Sequence, residues 1–248
     1  ADLQTIKKAP QAALNIVRRK KWALAMEQRF GTPFLHVADM QEWHGIEGIS
    51  DLYRQIGKML GCEDAVEHVL QEEYERVAAR YQELRAEFAK YKFCLIAHGI
   101  AYLPDALRVY QQDYGLPITK ICIIMNPAYQ AETGLDDAMM QRFKDRIELA
   151  KAEYGCDAEI LLEPSEDALR EAAQSCDFVI CNGHPRYAAL DVPVLYNLFD
   201  RSVWNYQGFV DIMEEVWQML QQPQRTGSSL LLSKLAYDPV FYPMREAD

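Results

Sequence analysis

The chain has 248 residues, half of them hydrophobic and a quarter charged, with a formal net charge of −11. That length suits one large domain or two smaller ones, each able to bury a core. The acidic balance disfavours DNA, RNA or an anionic membrane as partner, and no apolar run is long enough to span a bilayer. No signal-peptide pattern opens the chain, so a cytoplasmic location is expected.

The apolar run ALNIV, residues 13–17, predicts a strand. Residues 21–30 predict a helix stopped by Gly31, and residues 34–37 a second strand. The polar loop ADMQEWHGIEG follows and carries His44. Residues 49–60 predict a helix with Ile49, Leu52, Tyr53, Ile56, Met59 and Leu60 on one face. The Glu-, Arg- and Ala-rich residues 63–90 predict one long helix, of a length suited to bridging two domains.

From there the pattern becomes regular. Strands are predicted over residues 93–97, 120–125, 158–162, 178–181 and 194–196. Helices are predicted after His98, over 136–154, over 166–175 behind Ser165 as N-cap, and over 209–220. Strands that are apolar throughout and alternate with amphipathic helices predict a doubly wound α/β domain with a parallel sheet. The expected organisation is residues 1–91 as part of one Rossmann-like domain with the bridging helix, 92–220 as a second, and 221–248 as a tail.

The six cysteines, Cys62, Cys94, Cys122, Cys156, Cys176 and Cys181, form no CxxC pair. They read as buried free thiols in a reducing compartment, and no metal ligand is assigned among them. The chain also lacks GxGxxG, GxxxxGK[ST], GxSxG and HExxH.

In an open parallel sheet, ligands bind past the carboxyl ends of the strands. Those ends carry His98-Gly99, Asn126-Pro127, the segment NGHPRY from Asn182 to Tyr187, and NLFDRSVWNYQGF over residues 197–209. Glycine at such a tip allows close backbone approach, and helices starting there offer N–H groups to an anion. Taken singly, His98 and His184 read as hydrogen-bonded loop histidines, Asp200 and Arg201 as a salt bridge locking a loop, and Trp204 and Tyr206 as packing residues.

The segment DLQTIKKAPQAALNIVRRKKWALAMEQRFGTPFL, the pattern SCDFVICNGHPRYAALDVPVLY and the signature FDRSVWNYQGF occur in this order. Together they resemble nitrogenase component 1 subunits over residues 2–220, and the last resembles the "FDR…W.YQG" signature of beta-type subunits. The resemblance implies Rossmann-like domains and ATP-driven electron transfer through metalloclusters. It also implies a homologous component 1-type subunit and an ATP-dependent iron–sulfur reductase as partners. The family spans dinitrogen reduction (nitrogen fixation), tetrapyrrole reduction and cofactor assembly.

The match begins part-way through the family's second domain, so the chain is expected to be the C-terminal half or two thirds of a subunit. The iron–sulfur or related metallocluster is then expected in the full-length complex, with no cofactor in this piece alone. The ligand cysteine that the cofactor-binding subunit carries after "LNI" is replaced by Arg18 and Arg19, and no histidine lies near residues 195–198. Arg18 and Arg19 either face an anionic cluster or acidic partner, or form a solvated basic cluster with Lys20 and Lys21. The candidate cofactor contacts are Arg18, Arg19, His44, His98, Gly99, Asn126, Asn182, Gly183, His184, Asp200, Arg201 and Trp204. Two further readings stay open: a non-catalytic cofactor-assembly scaffold, and a small-anion-binding α/β domain using His98, Asn126 and Asn182.

Overall fold

The structure is a computed structural model that describes residues 7–37, 43–98, 103–125, 136–181, 187, 190–196 and 203–221. The chain divides into two compact units, Ala1–Ala79 with Ser202–Val210, and Arg80–Arg201 with Asp211–Asp248.

In the first unit, β1 (Asn15–Val17) pairs in parallel with β2 (Phe34–His36), with Ile16 opposite Leu35. The crossover is α1 (Lys20–Phe30), which ends where Gly31 turns left-handed at φ 70° and its N–H reaches Glu27 O at 2.8 Å. That conformation strains any residue with a Cβ, which is why the glycine stops the helix. Helix α2 (Gly45–Leu60) then packs Leu52 with Leu35, Val37 and Trp43 in a small core. It begins a turn earlier than residue 49. Gly45 and Gly48 lower helix propensity, but both are buried in the first turn, where packing overrides propensity. A Cβ on Gly57 of α2 would lie 2.8 Å from Val66 Cγ2, so the glycine permits close approach to α3 (Glu63–Phe88).

The second unit is built on one parallel sheet. Its strands are β3 (Phe93–His98), β4 (Ile118–Ile124), β5 (Glu159–Leu162), β6 (Phe178–Cys181) and β7 (Val194–Tyr196), in spatial order β5-β4-β3-β6-β7. Consecutive residues from Phe93 to Ala97 are all buried, so both faces of the central strand are covered. This is the Rossmann-like α/β architecture that the apolar strands predict.

The crossover from β3 is α4 (Leu103–Leu107), which runs on as π-helix over Arg108–Tyr114. The wider turn brings residues five apart together, and Arg108 Nη1 donates to Asp113 Oδ2 at 2.9 Å. Helix α5 (Asp137–Glu153) is capped by Asp136, whose carboxylate accepts from Met139 N–H at 2.8 Å. Helix α6 (Glu166–Gln174) is capped by the expected Ser165, which accepts from Ala168 N–H at 3.2 Å. The last helix, α7 (Tyr206–Gln221), starts three residues before the expected position. Asn205 Oδ1 accepts from Gly208 N–H at 2.6 Å, a cap that sets the earlier start.

Candidate functional site at the strand switch point

The strand order reverses between β3 and β6. The chain winds outward from β3 to β4 and β5, then returns to the other side of β3 for β6 and β7. Beyond the carboxyl ends at such a reversal the connecting loops diverge and leave a crevice, the usual ligand site of this architecture. His98 is the last residue of β3 and is exposed, whereas Ala97 before it is fully buried. Tyr187, which follows β6 in the chain, is fully buried. Its Oη lies 2.5 Å from His98 Nε2. A histidine and a phenol thus meet at the switch point, and together they can donate, accept or relay a proton.

The neighbouring tips are tied together as well. Glu163 follows β5 with a left-handed backbone, φ 47°. Its carboxylate accepts from Met125 N–H at 2.5 Å, and its own N–H donates to Ile123 O at 2.9 Å. Both bonds bind the β5 tip to the β4 tip. Cys181, the last residue of β6, has its thiol pushed up to about 12 by burial, so it is inert as a nucleophile.

Several expected site residues fall elsewhere. Arg18 and Arg19 follow β1 in the first unit; both are exposed, and Arg19 occupies the N-cap of α1. Among the described residues neither makes an ion pair. His44 is buried at the N-cap of α2 and stands edge-on to the Phe209 ring, centroids 5.6 Å apart. Trp204 is exposed, while its neighbour Tyr206 is buried. Gly99, Asn126, Asn182, Gly183, His184, Asp200 and Arg201 lie outside the described residues.

Sequence reasoning passed over Tyr187 and Glu163. Tyr187 ends the NGHPRY segment that was expected at the rim, yet nothing in its spacing marks it as the partner of His98. Glu163 stands before Pro164, where a helix start is the visible signal and a clamp is not.

Residues 1–221 match the sequence model of the nitrogenase component 1 type oxidoreductase family. The chain belongs to the nitrogenase component 1 type oxidoreductase family. Two solved structures, described as nitrogenase Cp1 at pH 6.5 and at pH 5, share its fold with TM-scores of 0.51 and 0.52 at 14% and 15% identity. Each alignment covers 87% of this chain, and 50% and 48% of the respective solved chain, so this chain spans about half their length. No curated protein sequence matches closely enough to count as a relative.

Members of this family are known for metalloclusters. Among the described residues, no three of His, Cys, Asp or Glu are disposed to hold a metal ion. What the chain offers at the switch point is hydrogen bonding from His98 and Tyr187. Among the described residues, no helix is long and apolar enough to cross a membrane.

Proposed function

We propose that the chain acts as the C-terminal part of a nitrogenase component 1-like oxidoreductase subunit. Its switch-point rim walls a cavity in which a metallocluster or substrate is held during ATP-driven reduction. The observation that carries this reading is the family match over residues 1–221. The His98–Tyr187 pair supports it, because it lies where this fold presents groups to a ligand.

In this reading the metallocluster supplies the electron-transfer chemistry and takes its ligands from outside the described residues. His98, exposed at the strand tip, orients the bound species by a hydrogen bond, and the buried Tyr187 holds its ring. Arg18, Arg19, His44 and Trp204 belong to the first unit. The partners are a homologous component 1-type subunit and an ATP-dependent iron–sulfur reductase, in the cytoplasm.

A cofactor-assembly scaffold is the second reading. It is favoured by the resemblance, which implies a ligand cysteine in the cofactor-binding subunit where this chain has Arg18 and Arg19. Anaerobic purification of the chain, co-expressed with its component 1-type partner, separates the readings. Several irons per complex, acid-labile sulfide, a reducible EPR signal and turnover with the reductase are expected. Iron without turnover would favour the scaffold. A folded, iron-free complex would overturn both in favour of small-anion binding.

A further inference from the structure

The net charge of −11 hides a local reversal in the first unit. Between residues 7 and 30 the chain carries Lys7, Lys8, Arg18, Arg19, Lys20, Lys21 and Arg29 against a single acid, Glu27. All seven basic residues are exposed. None of them has an ion-pair partner among the described residues. By contrast Arg54, Arg76, Arg80 and Lys151, on other helices, each meet a carboxylate.

The cations at the start of α1 also stand against the local structure. Arg19 is the N-cap and makes no side-chain hydrogen bond to the first turn, and Lys20 and Lys21 open the helix with no acid in that turn. Helices α2, α5 and α6 each place an acid there, Glu47, Asp137 and Glu166. The N-terminal end of a helix carries positive partial charge, so cations destabilise it and an anion stabilises it. Natural sequences break such local rules where a function needs it.

Apolar surface lies beside the charge. Helix α1 buries only Ala23 and Met26. Trp22 is 49% exposed and Phe30 52%, and the Arg29 guanidinium lies over the Phe30 ring, 5.2 Å from its centroid. Trp22 and Arg29 are seven residues apart, so they stand on one side of the helix two turns apart. Exposed aromatic and arginine side chains are the types that anchor interfaces.

We propose that α1 is a docking surface for an acidic segment of a partner polypeptide. Carboxylates of that segment pair with Arg18, Arg19, Lys20 and Lys21, and Trp22 and Phe30 take its apolar side chains. Charge and size choose the partner class. The helix is about 16 Å long. The field of exposed charges fades over about 8 Å at physiological ionic strength. Outside residues 7–30 the chain is more acidic than it is as a whole. A nucleic-acid duplex or an anionic membrane extends past the helix and meets that repulsion, whereas a short acidic segment fits within the basic surface. A free inorganic anion leaves Trp22 and Phe30 uncovered. The surface goes beyond the proposed function, since it operates whether or not the chain walls a cluster.

The test uses the full chain and a fluorescein-labelled peptide of mixed Glu and Leu residues, read by fluorescence anisotropy. Saturable binding that weakens as salt rises is expected. Replacing Arg18, Arg19, Lys20 and Lys21 together by Gln should weaken it about tenfold or more, because four exposed ion pairs of modest strength are lost. The same variant should flatten the salt dependence. It relieves repulsion at the start of α1, so its thermal midpoint should not fall. Trp22→Ala should weaken binding and keep the salt dependence. Gln at Arg142 and Arg146, two exposed cations of α5, should change nothing. A labelled DNA duplex and phosphatidylserine vesicles should bind more weakly than the peptide. Absence of binding, equal binding by the four-Gln variant, tighter binding of duplex or vesicles, or displacement of the peptide by free glutamate at equal carboxylate concentration would each overturn the proposal.

Discussion

Tyr206 Oη lies 2.7 Å from Ser50 Oγ, although 156 residues separate them in the chain. Ser50 Oγ also donates to Ile46 O at 2.6 Å, one turn back in α2. A serine hydroxyl has a single proton, so Tyr206 is the donor and Ser50 the acceptor. The Tyr74 ring meets Tyr206 edge-on at 6.1 Å. Tyr206 is thus anchored to α2 by a directed hydrogen-bond chain.

That direction makes the two deletions unequal. Ser50→Ala strands a buried phenol without its acceptor and should cost about 1–3 kcal/mol. Tyr206→Phe removes the donor and leaves Ser50 bonded to Ile46, so about 0.5–1.5 kcal/mol is expected. Urea denaturation of both single variants and the double variant checks the order. A larger loss for Tyr206→Phe would show that Ser50 donates instead.

The same phenol predicts an alkaline limit. Burial is the main cause raising the Tyr206 pKa above the ordinary 10.0, and the Ser50 hydrogen bond only partly opposes it. The unfolded chain therefore loses this proton at lower pH than the folded chain. The contribution is fully present below pH 10 and is lost as pH rises beyond it. Thermal melts between pH 8 and 11 should show wild-type Tm falling more steeply above pH 10 than that of Tyr206→Phe. Parallel curves would remove Tyr206 as the cause.

Legibility in the sequence depended on how local the cause is. Strands β3 and β6 stand out because residues buried on both faces leave an unbroken apolar run. The starts of α2 and α7 were missed because one rests on buried glycines and the other on the Asn205 cap, both settled by packing. The π-helical stretch at Arg108–Tyr114 has no distinct pattern, since a few residues cannot separate its period from that of an α-helix. At the site, His98 was legible as a strand tip. Tyr187, Glu163 and the approach of Cys94 to Cys122, Sγ atoms 3.9 Å apart, were not, because each depends on which strands become neighbours.

The Arg108–Asp113 pair gives a third prediction. Both side chains are largely buried, 12% and 5% exposed, and Tyr81 Oη donates to the Asp113 carbonyl at 2.8 Å. Removing one member of a buried ion pair is strongly destabilising, at about 3–5 kcal/mol. Asp113→Ala should therefore destabilise strongly, and Arg108→Met combined with Asp113→Leu should recover much of the loss. A double variant as unstable as the sum of its parts would mean that the pair is not coupled.

The start of α7 gives a fourth. A Cβ on Gly208 would come 3.0 Å from Asn205 Oδ1, the atom that caps the helix. Gly208→Ala adds helix propensity but pushes the cap aside, so its usual benefit should vanish. Asn205→Ala should cost about 1 kcal/mol. If Gly208→Ala is neutral in an Asn205→Ala background yet destabilising in wild type, the cap is the cause. Equal effects in both backgrounds would point to Val203 Cγ1, at 3.4 Å, instead.

The last prediction concerns the switch point. Tyr187→Phe keeps the buried ring and removes only the hydroxyl that holds His98 Nε2. The stability cost should be modest, about 0.5–1.5 kcal/mol. Under the proposed function, loss of an oriented hydrogen bond worth about 1.4 kcal/mol in the transition state would lower turnover about tenfold. His98→Gln, which retains hydrogen-bonding capacity, should recover part of the rate if positioning is the role, and none if proton transfer is. Unchanged rate in Tyr187→Phe, with the fold intact, would remove the β3–β6 switch point as the functional site.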